Sequence, residues 1–579
     1  MTESKKLPAV NFNYLREQIV GGDCAFPTPF GERLMVYSDY TASGRCLLFV
    51  ESYLEILQRN YANTHTEDDI TGRSMTALLH EAEAMIKSSV NAGDDGRIIA
   101  VGTGASGAID KLQQILGIAC PPATHQLMIH TLDKFIGTQQ RHKFEALLSQ
   151  QQPVVFTGPY EHHSNEISWR QGLSTVVTVD LAADGSIDLE HLKHLLQLPE
   201  YQNLLRIGSF SAASNVTGMR SPIHEIACLL HHHDAIACFD YAASAPYVEI
   251  DMNPPVTGDG DPSIDAIYIS PHKFIGGPGS SGILVFNKRI YDEHLPPTVA
   301  AGGTVDYVSP ASQDFIHDIE EREKAGTPGV LQTLKAALVF SIKDELGTQH
   351  IEAREHQLMS HAFERWAQSP QIEILGNPDP NRRVGIVSFN IKAPCGRYLH
   401  PKFATALLND LFGIQSRAGC SCAGPYGHRL LDIDLEHSEK YRSWISKGYT
   451  GIKPGWCRVC FHFTMDDAEA NYIIDAVEFV ATHGHLFLPQ YQFDLHSGSW
   501  THEHCKPLDE SLSLATAIEA SGCKPTARPV AERKELYDRY LREAQDLADK
   551  LSAASPAVEA QLEGEMGELQ FFALRDSTN

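Results

Sequence analysis

Ser270-Pro271-His272-Lys273-Phe274-Ile275-Gly276-Gly277-Pro278-Gly279 decides how this chain is read. It holds one lysine, preceded by Ser and His and followed by a Gly/Pro-rich turn. Upstream, Cys238-Phe239-Asp240-Tyr241 ends an apolar stretch in an aspartate. One strand delivers a carboxylate and a later strand delivers a lysine. A lysine amine forms a Schiff base with an aldehyde, and a carboxylate keeps a pyridine nitrogen protonated so that the ring accepts electrons. Pyridoxal phosphate (PLP) chemistry needs this pair. A lysine beside a glycine-rich turn is commonly a solvated loop residue, so the reading rests on the rest of the chain.

Around this stretch, short apolar runs alternate with helix-length segments. Arg97–Val101, Val154–Phe156, Ser174–Val179, Leu204–Ser209, Ile236–Phe239 and Ile267–Ile269 read as strands. Their spacing predicts an α/β fold with a mainly parallel sheet. Gly282–Phe286 follows Lys273 closely and is expected as an antiparallel neighbour. After Ala301-Gly302-Gly303-Thr304 the pattern changes. A helix is expected near Gly329–Leu346, then mixed strands and helices including Val384–Asn390. The charged stretch Glu532–Ser552 has helical spacing and reads as a surface helix or an interaction arm.

The length suggests two to four domains. The formal charge of −26 disfavours nucleic acid and anionic membrane as partners. No long apolar run suggests a spanning helix. The first residues are not followed by an apolar signal region, so a cytoplasmic location is expected. The twelve cysteines are scattered and expected to be mostly free thiols.

Further motifs surround the lysine. Gly102-Thr103-Gly104-Ala105-Ser106-Gly107 lies between a strand and a helix. There the small residues Gly104, Ala105 and Ser106 let backbone N–H groups approach a phosphate. Glu161-His162-His163-Ser164-Asn165 offers an imidazole, His162, to stack on a pyridine ring or carry protons. In Ser214-Asn215-Val216-Thr217-Gly218, Asn215 is suited to hydrogen-bond a phenolate oxygen, or else forms an ordinary turn.

Arg417-Ala418-Gly419-Cys420-Ser421-Cys422-Ala423-Gly424-Pro425 is a glycine-rich loop with two thiols, suited to a cysteine that must reach a substrate and then a partner. With Cys457 and Cys460 it would supply four zinc-type ligands. Strand alternation, however, puts Cys457 and Cys460 on opposite faces, so no metal is expected. Arg458 shares a face with Cys460 and is suited to grip a substrate carboxylate. His231-His232-His233 reads as a helix end before a strand.

Taken in order, these motifs resemble the class V aminotransferase superfamily of fold-type I PLP enzymes. Within it they are most similar to group II cysteine desulfurases and selenocysteine lyases, with some likeness to molybdenum cofactor sulfurase. Asp39-Tyr40-Thr41-Ala42-Ser43 and Asn63-Thr64-His65-Thr66 resemble the N-terminal and substrate-side segments, which implies Ala42 and His65 at the substrate. The resemblance implies His162 on the ring, Asp240 at the pyridine nitrogen, Ser270 and His272 on the phosphate and Lys273 as the Schiff base. Lys324-Ala325-Gly326-Thr327-Pro328 resembles a segment whose Thr, here Thr327, reaches the PLP of a neighbouring subunit, which implies a homodimer. The cysteine loop implies a persulfide on Cys422, and Arg458 takes the carboxylate-binding place.

The resemblance runs from about Val36 to Ala481. It implies a large PLP-binding domain over 31–305 behind an N-terminal segment 1–30. A smaller C-terminal α+β domain over 306–485 and a helical extension over 486–579 follow. Two places depart from the family pattern: Ala243 stands where a Gln is usual, and the phosphate loop reads Gly-Thr-Gly-Ala-Ser. The expected function is desulfuration of L-cysteine to alanine, with a sulfur-acceptor protein as a further partner. The alternatives are an aminotransferase or C–S/β-lyase acting on another amino acid, and a non-catalytic PLP-fold scaffold for a sulfur-transfer partner.

Overall fold

The apolar runs between residues 96 and 287 pair into one seven-stranded sheet: β1 (Gly96–Val101), β2 (Val154–Thr157), β3 (Thr175–Thr178), β4 (Arg206–Ser211), β5 (Ile236–Asp240), β6 (Ala266–Ile269) and β7 (Gly282–Asn287). The order is β1-β7-β6-β5-β4-β2-β3. β7 runs antiparallel to both neighbours, as its short connection requires, and the other six point the same way. β2, β4 and β6 are buried at every position. In β2 and β6 burial on both faces goes with a mainly apolar run in place of alternation. The computed structural model describes residues 10–64, 66, 68–256, 258, 260–505, 528–553 and 559–575.

This sheet belongs to one of two compact units, residues 43–214 with 219–349. Its helices include α1 (Ile70–Ser89) and α2 (Gly104–Ile115). Asp69 caps α1, its Oδ1 accepting from Gly72 N at 2.7 Å. Ala105, Ala108, Ile109, Leu112 and Ile115 form the buried stripe of α2 at helical spacing. A helical hairpin follows, α3 (Pro122–Ile136) and α4 (Thr138–Ser149), in which no residue is buried. Leu127, Phe135 and Leu147 are 67%, 80% and 62% exposed. α5 (Val330–Leu346) packs against α1.

The other unit comprises residues 1–42, 215–218 and 350–579. Its sheet has the order β8 (Ile372–Ile374), β9 (Ile386–Ile391), β11 (Trp456–Cys460), β10 (Arg417–Gly419), antiparallel throughout. Around it lie α6 (Pro401–Phe412), α7 (Gly424–Leu430) and α8 (Asp467–His483).

α9 (Val530–Ala553) is the charged helix read from the sequence. It is no free arm: Arg533, Tyr537, Tyr540, Ala544 and Ala548 are buried at helical spacing. Tyr537 stacks on Tyr472 of α8 with ring centroids 4.1 Å apart, and the Arg33 guanidinium lies 4.6 Å from the Tyr540 centroid. The apolar tips hold α9 down while its charged face stays wet. Among the described residues no helix is long and apolar enough to cross a membrane.

Candidate active site

The C-terminal ends of parallel strands are where α/β sheets bind ligands, and the sequence motifs gather there. β5 ends in Asp240, opposite Tyr268 of β6. β6 runs on into Ser270 and a single 3₁₀ turn, Pro271–Lys273, which ends in the half-buried Lys273. Asp240 is buried. Its Oδ1 accepts from Ala242 N at 2.8 Å, and Oδ2 makes no hydrogen bond among the described residues. Burial raises its carboxyl above the usual range, while the Ala242 bond and the Lys273 charge oppose this.

The glycine loop meets the lysine turn directly. Ala105 N donates to Ser270 Oγ at 2.9 Å, and the Ser270 hydroxyl proton has no acceptor among the described residues. The turn expected over 102–107 is shorter than the sequence suggests, because α2 already begins at Gly104 and Ser270 caps it. Gly104 sits at φ +61, and a Cβ there would lie 2.8 Å from Ser270 Oγ and 2.9 Å from His272 Cε1. A cradle this narrow admits backbone and no side chain. His272 is pushed down to about 4 by burial, helped by the Lys273 charge, so its imidazole is neutral.

A hydroxyl chain joins the helix start to His162. Ser106 Oγ and Ser164 Oγ are 2.5 Å apart, and Ser164 Oγ lies 3.1 Å from His162 Nδ1. Because His162 Nδ1 accepts from Ser164 N at 3.1 Å, the neutral ring carries its proton on Nε2. Sequence reading took only the histidine from this motif. The structure gives work to its Glu and Asn as well. Glu161 accepts from Gly158 N, Ser211 N, Ser211 Oγ and Asn165 Nδ2, at 2.6–3.1 Å. Asn165 Oδ1 in turn accepts from Trp169 Nε1 and Ser209 Oγ. This closed network pins the His162 loop to β4. Burial pushes Glu161 up to about 7, against these hydrogen bonds.

Thr327 lies exposed between Arg322 and α5, and its hydroxyl has no partner among the described residues. The neighbouring Lys324 is buried and pairs with Glu83 at 2.9 Å and Glu321 at 2.8 Å. Ala243 is buried. His65 lies outside the described residues.

In the other unit Arg458 projects from β11, opposite Arg417 of β10. Asp39 bridges them: Oδ1 accepts from Arg458 Nη2 and Oδ2 from Arg417 Nε, both at 2.9 Å. Arg458 Nη1 donates to Asn215 O at 2.9 Å, and its buried Nε–H has no partner among the described residues. Three of its five N–H donors therefore remain unused. Asn215 Nδ2 donates to Ser421 O at 2.6 Å, which ties this amide to the cysteine loop. Ala42 closes a turn on Asp39, its N–H donating to Asp39 O.

The cysteine loop leaves β10 at Gly419. Ser421 and Cys422 both adopt positive φ, +49 and +57, a conformation that L side chains rarely take once and seldom twice in succession. The turn leaves Cys422 exposed and Cys420 half-buried. Cys457 Sγ faces Pro401 O on α6, while Cys460 Sγ faces Thr41 on the opposite side of β11. His231 is in the last turn of the helix Ile223–His232 and lies 2.9 Å from Asp265.

A family model described as Aminotransferase class-V matches residues 142–473, more than half of the chain. The chain belongs to the class-V aminotransferase family. Its relatives include a protein named probable cysteine desulfurase from Halalkalibacterium halodurans, 30% identical over 292 residues. That match covers 50% of this chain and 66% of the relative's length, just under two thirds. A protein of the same name from Staphylococcus aureus is 26% identical over 401 residues, covering 68% and 84%.

Among solved structures, the apo cysteine desulfurase of Thermococcus onnurineus shares the fold with a TM-score of 0.60 at 20% identity, covering 77% of this chain and 95% of that one. The S-sulfonic acid form of Escherichia coli cysteine desulfurase CsdA gives 0.57 at 18%, covering 77% and 94%. The α/β fold of the class-V chain is thus the one these two structures share.

Proposed function

We propose that this class-V aminotransferase family member is a PLP-dependent cysteine desulfurase, converting L-cysteine to alanine and leaving a persulfide on Cys422. The observation that carries the reading is the turn at Ser421-Cys422, which holds an exposed thiol at the end of the strand paired with the Arg458 strand. The names of the relatives agree with it.

The sheet unit's residues fit PLP. The start of α2 and the unengaged Ser270 O–H offer donors to a phosphate, and the Gly104 cradle excludes side chains. Neutral His272 adds a donor N–H. Oδ2 of the buried Asp240 makes no hydrogen bond among the described residues, and a protonated ring nitrogen would supply one. Lys273 would hold the aldehyde carbon, and the Nε2–H ring of His162 would lie against the pyridine. Bound PLP supplies an electron sink for the pair released at the substrate Cα.

The chain's own residues do the rest. Unused donors of Arg458 take the substrate carboxylate, while Asp39 fixes the guanidinium plane. Lys273 Nζ removes the Cα proton. Cys422, as thiolate, attacks the substrate sulfur. The Sγ–Cβ bond breaks, an S–S bond forms on Cys422, and reprotonation of the carbon skeleton gives alanine. Asn215 positions the loop through Ser421 O and has a second N–H for the ring oxygen. Thr327 serves a second copy in a homodimer. An acceptor protein then takes the sulfur.

The test is alanine release from L-cysteine with a reductant present, comparing wild type with Cys422→Ala. Alanine from wild type and none from the variant is the expected result. A wild type that makes no alanine, yet shifts its PLP spectrum with other amino acids, would move the assignment to an aminotransferase or β-lyase.

A further inference from the structure

The cysteine loop holds two thiols where desulfuration uses one. β10 ends at Gly419, and the chain then closes a four-residue turn, Cys420-Ser421-Cys422-Ala423, in which Ala423 N donates to Cys420 O at 3.0 Å. Its two central residues, Ser421 and Cys422, are those at φ +49 and +57, the pattern of a type I′ turn. Such turns ordinarily take Asn, Asp or Gly at these places. Here a cysteine stands at the first position and another at the third.

The turn sets the spacing of the two thiols. In an extended strand, residues two apart have Cα atoms about 6.6 Å from each other, at the edge of what a disulfide spans. With Ser421 left-handed, helical geometry draws the Cα atoms of Cys420 and Cys422 to about 5.4 Å, near the usual disulfide separation. Asn215 Nδ2 pins the turn at its middle, on Ser421 O at 2.6 Å. Gly419, at φ +118 with open space around it, and Gly424 flank the turn and leave it room to adjust. The Ser421 hydroxyl is buried without a partner among the described residues, a donor in the turn for a sulfur anion. Cys457 and Cys460 are buried on opposite faces of β11, facing Pro401 O and Thr41, so the thiol next to Cys422 is Cys420.

We propose that Cys420 is a resolving thiol: when no acceptor takes the sulfur, it expels it from Cys422 as inorganic sulfide and leaves a Cys420–Cys422 disulfide. The Cys420 thiolate attacks Sγ of the Cys422 persulfide. The bond from that Sγ to the terminal sulfur breaks, an S–S bond forms between the two cysteines, and hydrosulfide departs, taking up the proton that Cys420 gave. Cys420 is oxidised and the terminal sulfur is reduced, so the step needs no outside oxidant. A dithiol reductant then returns the loop to its two thiols, and sulfide release is thereby gated by reductant supply. The inference rests on the desulfurase reading.

The experiment gives full-length PLP-loaded protein about one equivalent of L-cysteine per chain, under argon and without reductant. Alanine and free sulfide are measured, and the alkylated peptide holding Cys420 and Cys422 is weighed by mass spectrometry. Wild type is expected to release about one sulfide per alanine and to yield a peptide two hydrogens lighter than the dithiol, which takes no alkyl group until a dithiol reductant is added. Cys420→Ser is expected to form alanine but to keep the sulfur as a persulfide on Cys422 and release none. A wild type that makes alanine and retains the Cys422 persulfide beside an alkylated Cys420 would overturn the resolving step alone. Equal sulfide release from Cys420→Ser would overturn it too. Absence of alanine from wild type would remove the desulfurase reading itself, and the resolving step with it.

Discussion

Replacing Gly104 by alanine tests the phosphate cradle. The new Cβ would sit 2.8 Å from Ser270 Oγ and 2.9 Å from His272 Cε1, so both must retreat by about 0.6 Å to reach ordinary contact. Holding an L residue at φ +61 costs roughly 1–2 kcal/mol. Crowding a packed site adds about 1–3 kcal/mol, and loss of the Ser270 cap on Ala105 N–H about 1 kcal/mol. Together these reach about 3–6 kcal/mol, and the residues displaced are those assigned to the phosphate. At the low end this means roughly a hundredfold weaker PLP binding. Titration of apo-protein with PLP, followed by visible absorbance, gives the affinity. Gly102→Ala is the control, since nothing lies within 4 Å of its added Cβ and its φ is ordinary. A folded Gly104→Ala that binds PLP as tightly as Gly102→Ala would refute the cradle.

Three further outcomes are expected. Glu161, raised from 4.5 to about 7 by burial, binds its proton more tightly folded than unfolded. Its contribution is therefore fully present below pH 4.5 and lost as pH rises through 7, a change of about 3 kcal/mol. Glu161→Gln should flatten this slope in thermal unfolding at pH 5 and pH 8; equal slopes would remove the assignment. Asp39→Ala frees two arginines from their bridge and should raise KM for L-cysteine about tenfold or more with a smaller change in kcat, the signature of lost substrate positioning; an unchanged KM would refute it. Arg533→Ala removes one of the two guanidiniums, with Arg16, that pair with Asp23 and Asp466. It should destabilise this unit by about 2 kcal/mol, read from the urea midpoint, and an unshifted midpoint would count against it.

Strands such as β2 and β6 were legible because each is a short apolar run between helix-length segments, buried on both faces. Lys273 and Asp240 were legible because their strands end on them. The start of α2 was not, because its cap, Ser270, lies 165 residues away. The Arg458–Asp39 pair, 419 residues apart, was likewise invisible, although each residue was quoted in its own motif. The Glu161–Asn165 network was hidden by a catalytic reading of the histidine between them. Helical spacing did announce α9, but which face it buries depends on Tyr472 and Arg33, which no local pattern names.

The hairpin of α3 and α4 has a consequence for how the molecule opens. Since none of its side chains is buried, its helices rest on local hydrogen bonds and on ion pairs such as those of Arg141 with Asp133 and Glu145, and short isolated helices are marginal in water. Its amides should exchange with deuterium by fraying, with protection far below that of β4 or β6, and independently of denaturant. Proteases should nick it while the sheet stays closed. Residues 122–149 thus form a separate unit of cooperativity, a segment that can melt and re-form many times within one lifetime of the native sheet.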